Sequence, residues 1–274
     1  MYKKVICFIF LALLICWSAL YPSGPFEATA SEYVSGGLGG AGIVSLTGAR
    51  SIFYNPAGLS APGKMTLYTQ WAQRWGLTNM GNGILGVHYG TDIGEFGLGY
   101  HSWGDKELYR ELNLALAYSN NFLAGLYTGM RLNYYKLELG ERYGSASQMG
   151  LDIGANYFFN EEIAMGLMVT NLNRPKINDS SIPSRLYFAA AFFPAKWTKF
   201  EVNFEIEEDK PVSVKMGEEL IILEDFHLKA GVSGNPINFH LGLSYEYSYF
   251  DIGWSYFTHP DLSDTHSLSL ATKF

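Results

Sequence analysis

The feature that most constrains this fold is a period-two alternation of apolar and polar side chains, which recurs along most of the chain. It is clear in residues 149–157, 200–206 and 237–247. Alternation of this kind places successive side chains on opposite faces of a β-strand. The longest segments match the ~9–11 residues with which a tilted strand crosses a bilayer. Strands of soluble proteins average about five or six residues. The pattern therefore favours membrane-spanning strands.

The alternating segments predict an all-β fold, a transmembrane antiparallel β-barrel of about 14 strands over residues 64–274. The strands are expected near residues 64–75, 83–91, 94–103, 110–120, 122–138, 146–159, 161–171, 184–193, 198–208, 211–222, 226–234, 237–248, 249–259 and 264–274. An even strand number leaves both ends of the barrel on the periplasmic side. Aromatic residues cluster near the expected strand ends, as in the interfacial girdles of such barrels.

The connections support this arrangement because those after even-numbered strands are short, such as Asn120-Asn121 and Ser248-Tyr249. Those after odd-numbered strands are longer, such as residues 139–145 and 172–183. Short periplasmic turns and longer extracellular loops are typical of outer-membrane barrels. Two odd-numbered connections depart from the trend: Asp209-Lys210 and Asn235-Pro236.

The last segment is an alternating strand that ends in an aromatic residue, Phe274. Leu268, Leu270 and Phe274 share one face, and smaller or polar residues occupy the other. Such a strand would leave an unpaired edge in a soluble protein, whereas closure against the first strand removes that edge. An amphipathic terminal strand ending in Phe resembles the signal for outer-membrane barrel assembly, although Thr272 occupies a usually apolar position. We therefore predict Phe274 to be part of that signal.

Residues 1–30 have the pattern of an export signal. Lys3 and Lys4 precede an apolar run over residues 5–20, and Ala28-Thr29-Ala30 provides an A-x-A cleavage site before Ser31. The alternative is a retained membrane anchor, for which the apolar run is short. Both cysteines, Cys7 and Cys16, lie in this segment, so cleavage leaves a chain without disulfides or thiolate metal sites.

The composition limits the remaining classes. The formal net charge is −7, which argues against nucleic acid as a partner because such binding needs basic surface. Aromatic residues make up 16% of the chain, charged residues also 16%, and there are 30 glycines. After the signal, no apolar run is long enough for a helical membrane span. A large soluble β-sandwich is the alternative that composition alone leaves open.

Residues 31–63 do not alternate, and we predict that they form a plug inside or beneath the barrel. Residues 37–42 formally satisfy G-x-G-x-x-G, but a dinucleotide site also needs a preceding strand, a following helix and a distal acidic residue. We therefore predict no cofactor. Glycines allow close passage along a barrel wall, and the Asn-Pro step favours a turn. The plug candidates are Phe53, Tyr54, Asn55, Pro56, Ala57 and Gly58.

Gly39-Gly40-Ala41-Gly42 followed by residues 51–59, Ser-Ile-Phe-Tyr-Asn-Pro-Ala-Gly-Leu, resembles the N-terminal signature of two related families. One is the FadL-type outer-membrane transporters of long-chain fatty acids and aromatic hydrocarbons. The other is the PorV/PorQ family associated with type IX secretion. The resemblance implies a fourteen-stranded barrel and a luminal hatch that contains Asn55-Pro56-Ala57. The chain is short for a FadL-type transporter, which favours the PorV/PorQ group.

Catalytic signatures are absent from the sequence: there is no HExxH and no G-x-S-x-G, and the six histidines are scattered. We therefore predict no enzyme activity and no metal site. Four carboxylates lie in the inward register of long strands, where an ionised group avoids lipid: Asp152, Glu201, Glu205 and Glu246. We expect them to face the lumen, and a polar interior without a role in selectivity remains the simpler interpretation.

Three functions remain open for a barrel of the bacterial outer membrane. The first is help with protein secretion, with secreted proteins or secretion components as partners beside membrane lipid and the barrel-assembly machinery. The alternative is FadL-like passive transport of a hydrophobic ligand, which predicts an apolar cavity linked to an opening in the wall. The third is a structural or general-diffusion barrel. The PorV/PorQ resemblance places secretion first.

Overall fold

The computed structural model describes residues 24–27, 30–60, 64–77 and 79–274. Fourteen antiparallel strands form a closed barrel, which confirms the predicted fold class. The strands are β1 (Met65–Gln73), β2 (Gly81–Thr91), β3 (Gly94–Asp105), β4 (Tyr109–Leu123), β5 (Leu126–Glu138), β6 (Ser145–Phe158), β7 (Ile163–Val169), β8 (Arg185–Ala195), β9 (Thr198–Glu207), β10 (Ser213–Ile222), β11 (Phe226–Ser233), β12 (Asn238–Tyr247), β13 (Phe250–Phe257) and β14 (Thr265–Lys273).

Every strand pairs with its neighbours in sequence, and β14 pairs with β1 to complete the barrel. Trp71 lies opposite Leu268 in this last ladder. The N–H of Phe274 donates to the carbonyl of Met65 at 2.8 Å, and the N–H of Lys64 donates to the carbonyl of Phe274 at the same distance. The barrel therefore has no open edge at the junction of its terminal strands.

Alternation decides which side chains face inwards. On β12, Phe239 and Leu241 are 63% and 49% exposed on the outer surface, whereas His240 and Ser244 are buried inside. The same rule places Leu268 outside and Ser267 inside on β14. The outer surface is apolar and the interior polar, as expected for a barrel that faces lipid.

We call the end of the barrel that carries Met65 and Lys273 the near rim, and the opposite end the far rim. Most near-rim turns are tight, as at residues 92–93 and 248–249, and most far-rim connections are longer, up to residues 170–184; the far-rim connection at residues 106–108 is an exception. One predicted turn was wrong. β4 continues past Asn120-Asn121 to Leu123, because both asparagines pair with β5 and Gly125, at φ +81°, makes the turn instead.

Residues 30–60, the luminal segment, lie inside the barrel. They form helix α1 (Ala30–Val34) and two short 3₁₀ helices, Gly48–Phe53 and Pro56–Gly58. A further 3₁₀ turn (Arg74–Gly76), helix α2 (Gly140–Tyr143) and a small ladder between residues 176–177 and 180–181 lie at the far rim. No helix of the described ranges has the length and apolarity to span a bilayer.

Of the predicted signal peptide, residues 1–23, 28 and 29 lie outside the described residues, as do residues 61–63 of the predicted plug.

Candidate functional site in the barrel lumen

The luminal segment contacts the wall closely because the wall presents glycines along its path. A Cβ atom at Gly129 would lie 2.5 Å from the backbone N of Ala57, and one at Gly154 would overlap the side chain of Asn55. Further wall glycines contact the segment around the barrel: Gly86, Gly97, Gly99, Gly166, Gly217, Gly231 and Gly242. Nine wall glycines thus leave room for the luminal segment.

Asn55 organises the Asn-Pro-Ala element. Its Oδ1 accepts the N–H of Ala57 at 3.1 Å, so it caps the 3₁₀ turn that Pro56 begins. Its Nδ2 donates to Oδ1 of Asn156 on β6 at 2.8 Å and to the carbonyl of Ile43 at 3.2 Å. Asn55 is completely buried. One side chain thus joins the turn, the rest of the segment and the wall.

The other plug candidates are buried as well. Phe53 packs against Gly99 of β3, and Gly58 lies against the carbonyl of Leu46. The hydroxyl of Tyr54 donates to the carbonyl of Gly40. Burial raises the pKa of Tyr54 well above that of a free phenol, so this hydroxyl stays protonated and remains a donor.

Glu201 on β9 holds the first half of the luminal segment. Its carboxylate accepts backbone N–H groups of Gly42 at 3.0 Å, Val44 at 3.1 Å and Ser45 at 2.9 Å. The side chain is buried, so these three donors replace the water that a carboxylate otherwise requires. Glu201 is therefore an anchor of the segment.

Asp152 on β6 anchors the second half through an arginine that the sequence analysis missed. Its Oδ2 lies 2.5 Å from Nη2 and 2.7 Å from Nε of Arg131 on β5. Nη1 of Arg131 donates to the carbonyls of Ile52 and Tyr54. Oδ1 of Asp152 accepts the N–H of Asn171 at 2.6 Å. This completely buried carboxylate connects the wall, the luminal segment and the β7–β8 connection.

The remaining two luminal carboxylates contact the wall. Glu205 pairs with Lys215 at 2.6 Å and with Arg185 at 3.4 Å towards the far rim. Glu246 pairs with Lys273 at the near rim. The four predicted residues therefore do not form one site. Glu201 hydrogen-bonds to the luminal segment itself. Asp152 pairs with Arg131, which hydrogen-bonds to the segment. No metal-binding group of His, Cys, Asp and Glu is found in the described part of the chain.

A cavity of about 60 Å³ lies between the luminal segment and the far rim. Ile52 and Phe53 form its floor, and Ala115 and Tyr135 belong to the wall around it. Phe26, upstream of the luminal segment, and Asn171 of the β7–β8 connection also line it. The cavity is mixed in character, because Arg131, Arg185 and two asparagines add polar atoms to an apolar lining.

The wall beside this cavity is incomplete. β6 has fourteen residues, but only Ile153 to Phe158 pair with β7, which ends at Val169. Beyond that point residues 170–184, the lateral segment, lie against β6. The N–H of Leu172 donates to the carbonyl of Leu151 at 2.8 Å. The predicted β7 extended to residue 171, but Asn171 turns inwards with φ +50° and ends the strand.

The side-chain amide of Asn173 completes the contact by forming hydrogen bonds to the backbone of β6 in place of a neighbouring strand. Its Oδ1 accepts the N–H of Leu151 at 2.9 Å, and its Nδ2 donates to the carbonyl of Met149 at 2.8 Å. The side-chain amide therefore replaces two ladder bonds. Two side chains of β6 add to this contact: Asp152 accepts the N–H of Asn171, and Gln148 donates to the carbonyl of Lys176 at 3.2 Å. The contact thus rests mainly on side chains, with one backbone bond from Leu172 in place of a continuous ladder.

Replacing Asn173 with alanine should loosen this contact. The N–H of Leu151 and the carbonyl of Met149 lose their partners, at a cost of about 1–3 kcal/mol where water does not replace them. Amide exchange at residues 149–151 should become roughly tenfold faster or more, as measured by hydrogen–deuterium exchange with mass spectrometry. The control is Asn160→Ala, which removes two similar bonds from a near-rim turn. Equal exchange at residues 149–151 in both variants would contradict the assignment.

No protein-family model and no curated protein sequence matches this chain. Several solved structures are similar to this chain in fold. The CymD monoaromatic hydrocarbon channel superposes with a TM-score of 0.69 at 13% identity, over 92% of this chain and 99% of that one. The Pseudomonas putida toluene transporter TodX gives 0.67 at 12% identity, over 86% and 96%. A Pseudomonas aeruginosa FadL homologue gives 0.64 at 11% identity, over 91% and 99%. The barrel thus has the fold of FadL-type channels.

Proposed function

We propose that this chain is an outer-membrane channel through which small hydrophobic molecules diffuse passively. The observation that carries the proposal is the cavity above Ile52 and Phe53, which reaches the incomplete wall at Asn171. A hydrophobic molecule would enter from the far, extracellular rim and leave sideways into the membrane. Residues 1–30 would be the cleaved signal, residues 31–63 the hatch and residues 64–274 the barrel.

The wall length supports a lateral exit. About 9–11 residues of a tilted strand cross the bilayer, whereas β6 and β7 pair over residues 153–158 alone. Residues just above Ile153 would therefore lie in the outer leaflet beside the lateral segment. Backbone groups without partners are costly in lipid, so Leu172 and Asn173 close the gap at rest. Only one backbone bond crosses this contact, so opening it breaks fewer ladder bonds than the separation of two fully paired strands.

The lumen below the cavity is unsuited to a hydrophobic molecule. The path to the near rim is filled by the luminal segment and by buried ion pairs such as Arg131–Asp152. Transfer of apolar surface into lipid, by contrast, is favourable by about 25 cal/mol per Å². The sideways route therefore needs no energy source and no displacement of the luminal segment.

The size of the cavity indicates that loading is coupled to movement. A dry cavity of about 150 Å³ holds one benzene molecule, and this cavity has about 60 Å³. A monoaromatic molecule therefore fits only if a lining residue moves or is removed, as Phe26 would be by the proposed cleavage. The proposed cleavage removes Phe26 from the lining, and the lateral segment, with its single backbone bond to β6, is the part that we expect to move. We expect opening to be driven by the ligand.

The first-ranked interpretation of the sequence, a role in secretion, has no support from the comparisons. The structural neighbours named above are a hydrocarbon channel, a toluene transporter and a FadL homologue. Passive hydrophobic transport predicts an apolar cavity linked to an opening in the wall, and the cavity lies beside the incomplete wall, although polar atoms share its lining.

Uptake of labelled toluene tests the proposal in cells that lack their own hydrocarbon channels. Ala115→Leu should fill the cavity and reduce uptake to the level of cells without the protein, because Ala115 is a buried part of its lining. Ala190→Leu adds the same bulk on the outer face of β8 and should leave uptake unchanged. Uptake by the unmodified protein no faster than in empty cells, or no loss in Ala115→Leu, would refute the proposal.

A further inference from the structure

Phe26 fills an apolar pocket at the top of the lumen. Its ring lies 4.8 Å from the ring of Tyr135, centroid to centroid, and is packed with Leu137, Ile177 and Ile182. Its backbone adopts φ +61°, which is unfavourable for an aromatic residue. The pocket therefore holds a ring in spite of backbone strain, which indicates good complementarity to an aromatic group.

The carboxylate of Glu27 lies beside this pocket and forms ion pairs with two cations. Its Oε2 lies 2.6 Å from Nζ of Lys210 and 3.3 Å from Nη2 of Arg185. Arg185 is buried, and Lys210 lies in the far-rim turn after β9. A planar carboxylate between a guanidinium and an ammonium group is well bound because these hydrogen bonds are charge-assisted. Phe26 thus occupies an apolar pocket, and Glu27 occupies an anion site next to it.

The ion-paired group around Glu27 is balanced. It contains three cations and three carboxylates: Arg185, Lys210, Lys215, Glu27, Glu205 and Glu207. Removal of Glu27 leaves one positive charge in excess. Glu111 lies outside this group and accepts the N–H of Phe26 and the hydroxyl of Tyr109. A buried excess charge favours an anion in the vacated position.

The predicted cleavage before Ser31 would remove both residues. We propose that the mature protein then offers this place to an aromatic carboxylate, whose ring replaces Phe26 and whose carboxylate replaces Glu27. The inference rests on the proposed channel function and names the ligand of its cavity. Phe26 lines the cavity, so its loss also enlarges the space available to a ligand.

This site distinguishes an acid from the neutral molecule of the same shape. A phenylalkanoic acid carries its ring and carboxylate on one short chain, as Phe26 and Glu27 do. Butylbenzene matches the apolar part of phenylbutanoate and has no group for Lys210 or Arg185. Both compounds should enter the pocket, and only the acid should gain the two charge-assisted contacts.

The test measures binding of phenylbutanoate and butylbenzene to purified protein in nanodiscs by equilibrium dialysis. The chain that begins at Ser31 should bind phenylbutanoate at least tenfold more tightly than a chain that begins at Gly24, because the longer chain retains Phe26 and Glu27. Phe26→Ala in the longer chain should recover part of the affinity. Lys210→Gln in the Ser31 chain should weaken phenylbutanoate severalfold and leave butylbenzene unchanged.

Lys196→Gln is the matched control, because Lys196 is exposed in a near-rim turn and its loss should change neither affinity. Equal binding of acid and hydrocarbon would overturn the carboxylate site and leave the channel proposal standing. Binding of neither compound would count against both. Equally tight binding to the two chain lengths, or a native protein whose intact mass places its N-terminus at or before Gly24, would overturn the assignment of this place to a ligand.

Discussion

Arg131→Met is expected to destabilise the barrel by about 3–5 kcal/mol, the range for breaking one partner of a buried ion pair. Asp152, which is completely buried, would lose its ion-pair partner, and the carbonyls of Ile52 and Tyr54 would lose their donor. The measurement is the free energy of unfolding from urea titration in detergent micelles, followed by tryptophan fluorescence and by the heat-modifiable mobility of the barrel.

The exposed pair Arg174–Glu208 provides the control. Its atoms lie 3.8 Å apart, and both side chains are about three-quarters exposed. Arg174→Met should therefore cost at most about 1 kcal/mol. The double variant Arg131→Met with Asp152→Leu should be more stable than Arg131→Met alone, because it leaves no unpaired buried charge. A cost for Arg131→Met that is no larger than that for Arg174→Met would remove Arg131 from its anchoring role.

The barrel itself could be predicted from the sequence because alternation is a local property. In β12, for instance, every outward residue is apolar, and this pattern does not depend on the neighbouring strands. The position of β12 can therefore be predicted from residues 238–247 alone. Closure is then expected because the edges of an open sheet cannot remain unpaired in lipid. The turn after β4 was misplaced for a local reason too. Asn120 and Asn121 favour turns, but Gly125 adopts the positive φ at lower cost.

The contacts of the luminal segment were harder to predict because they depend on which residues of neighbouring strands lie opposite each other. Arg131 could have been found, since it lies opposite Asp152 in the β5–β6 ladder and both occupy inward positions of predicted strands. The sequence gives no comparable signal for Asn171 and Asn173. Their roles depend on β7 ending early, and a strand end beside an unpaired neighbour is a property of the assembled wall.

Removal of residues 31–63, with the signal peptide joined directly to Lys64, should convert the barrel into an ion-conducting pore. All wall ladders lie between Met65 and Lys273, so the barrel can close without the segment. Its polar interior would then fill with water, as in wide barrels with an open lumen. Planar-bilayer recordings should show discrete conducting steps for this variant and a flat baseline for the mature chain. A flat baseline for the folded deletion variant would show that the segment is not the seal.

A disulfide between positions 49 and 86 separates ion conduction from hydrophobic uptake. A Cβ atom at Gly86 would lie 3.5 Å from Cβ of Ala49, within the range of a disulfide, and the predicted mature chain has no other cysteine. The same atom would lie 2.9 Å from the carbonyl oxygen of Ala49, so the luminal segment shifts slightly to admit it, and the reduced form of the same variant is the reference. Oxidised Ala49→Cys with Gly86→Cys should retain the flat baseline and take up toluene as fast as the reduced form, because the lateral route does not cross the luminal segment. Uptake that stops on oxidation and returns on reduction would instead place the route through the lumen, past a segment that must move.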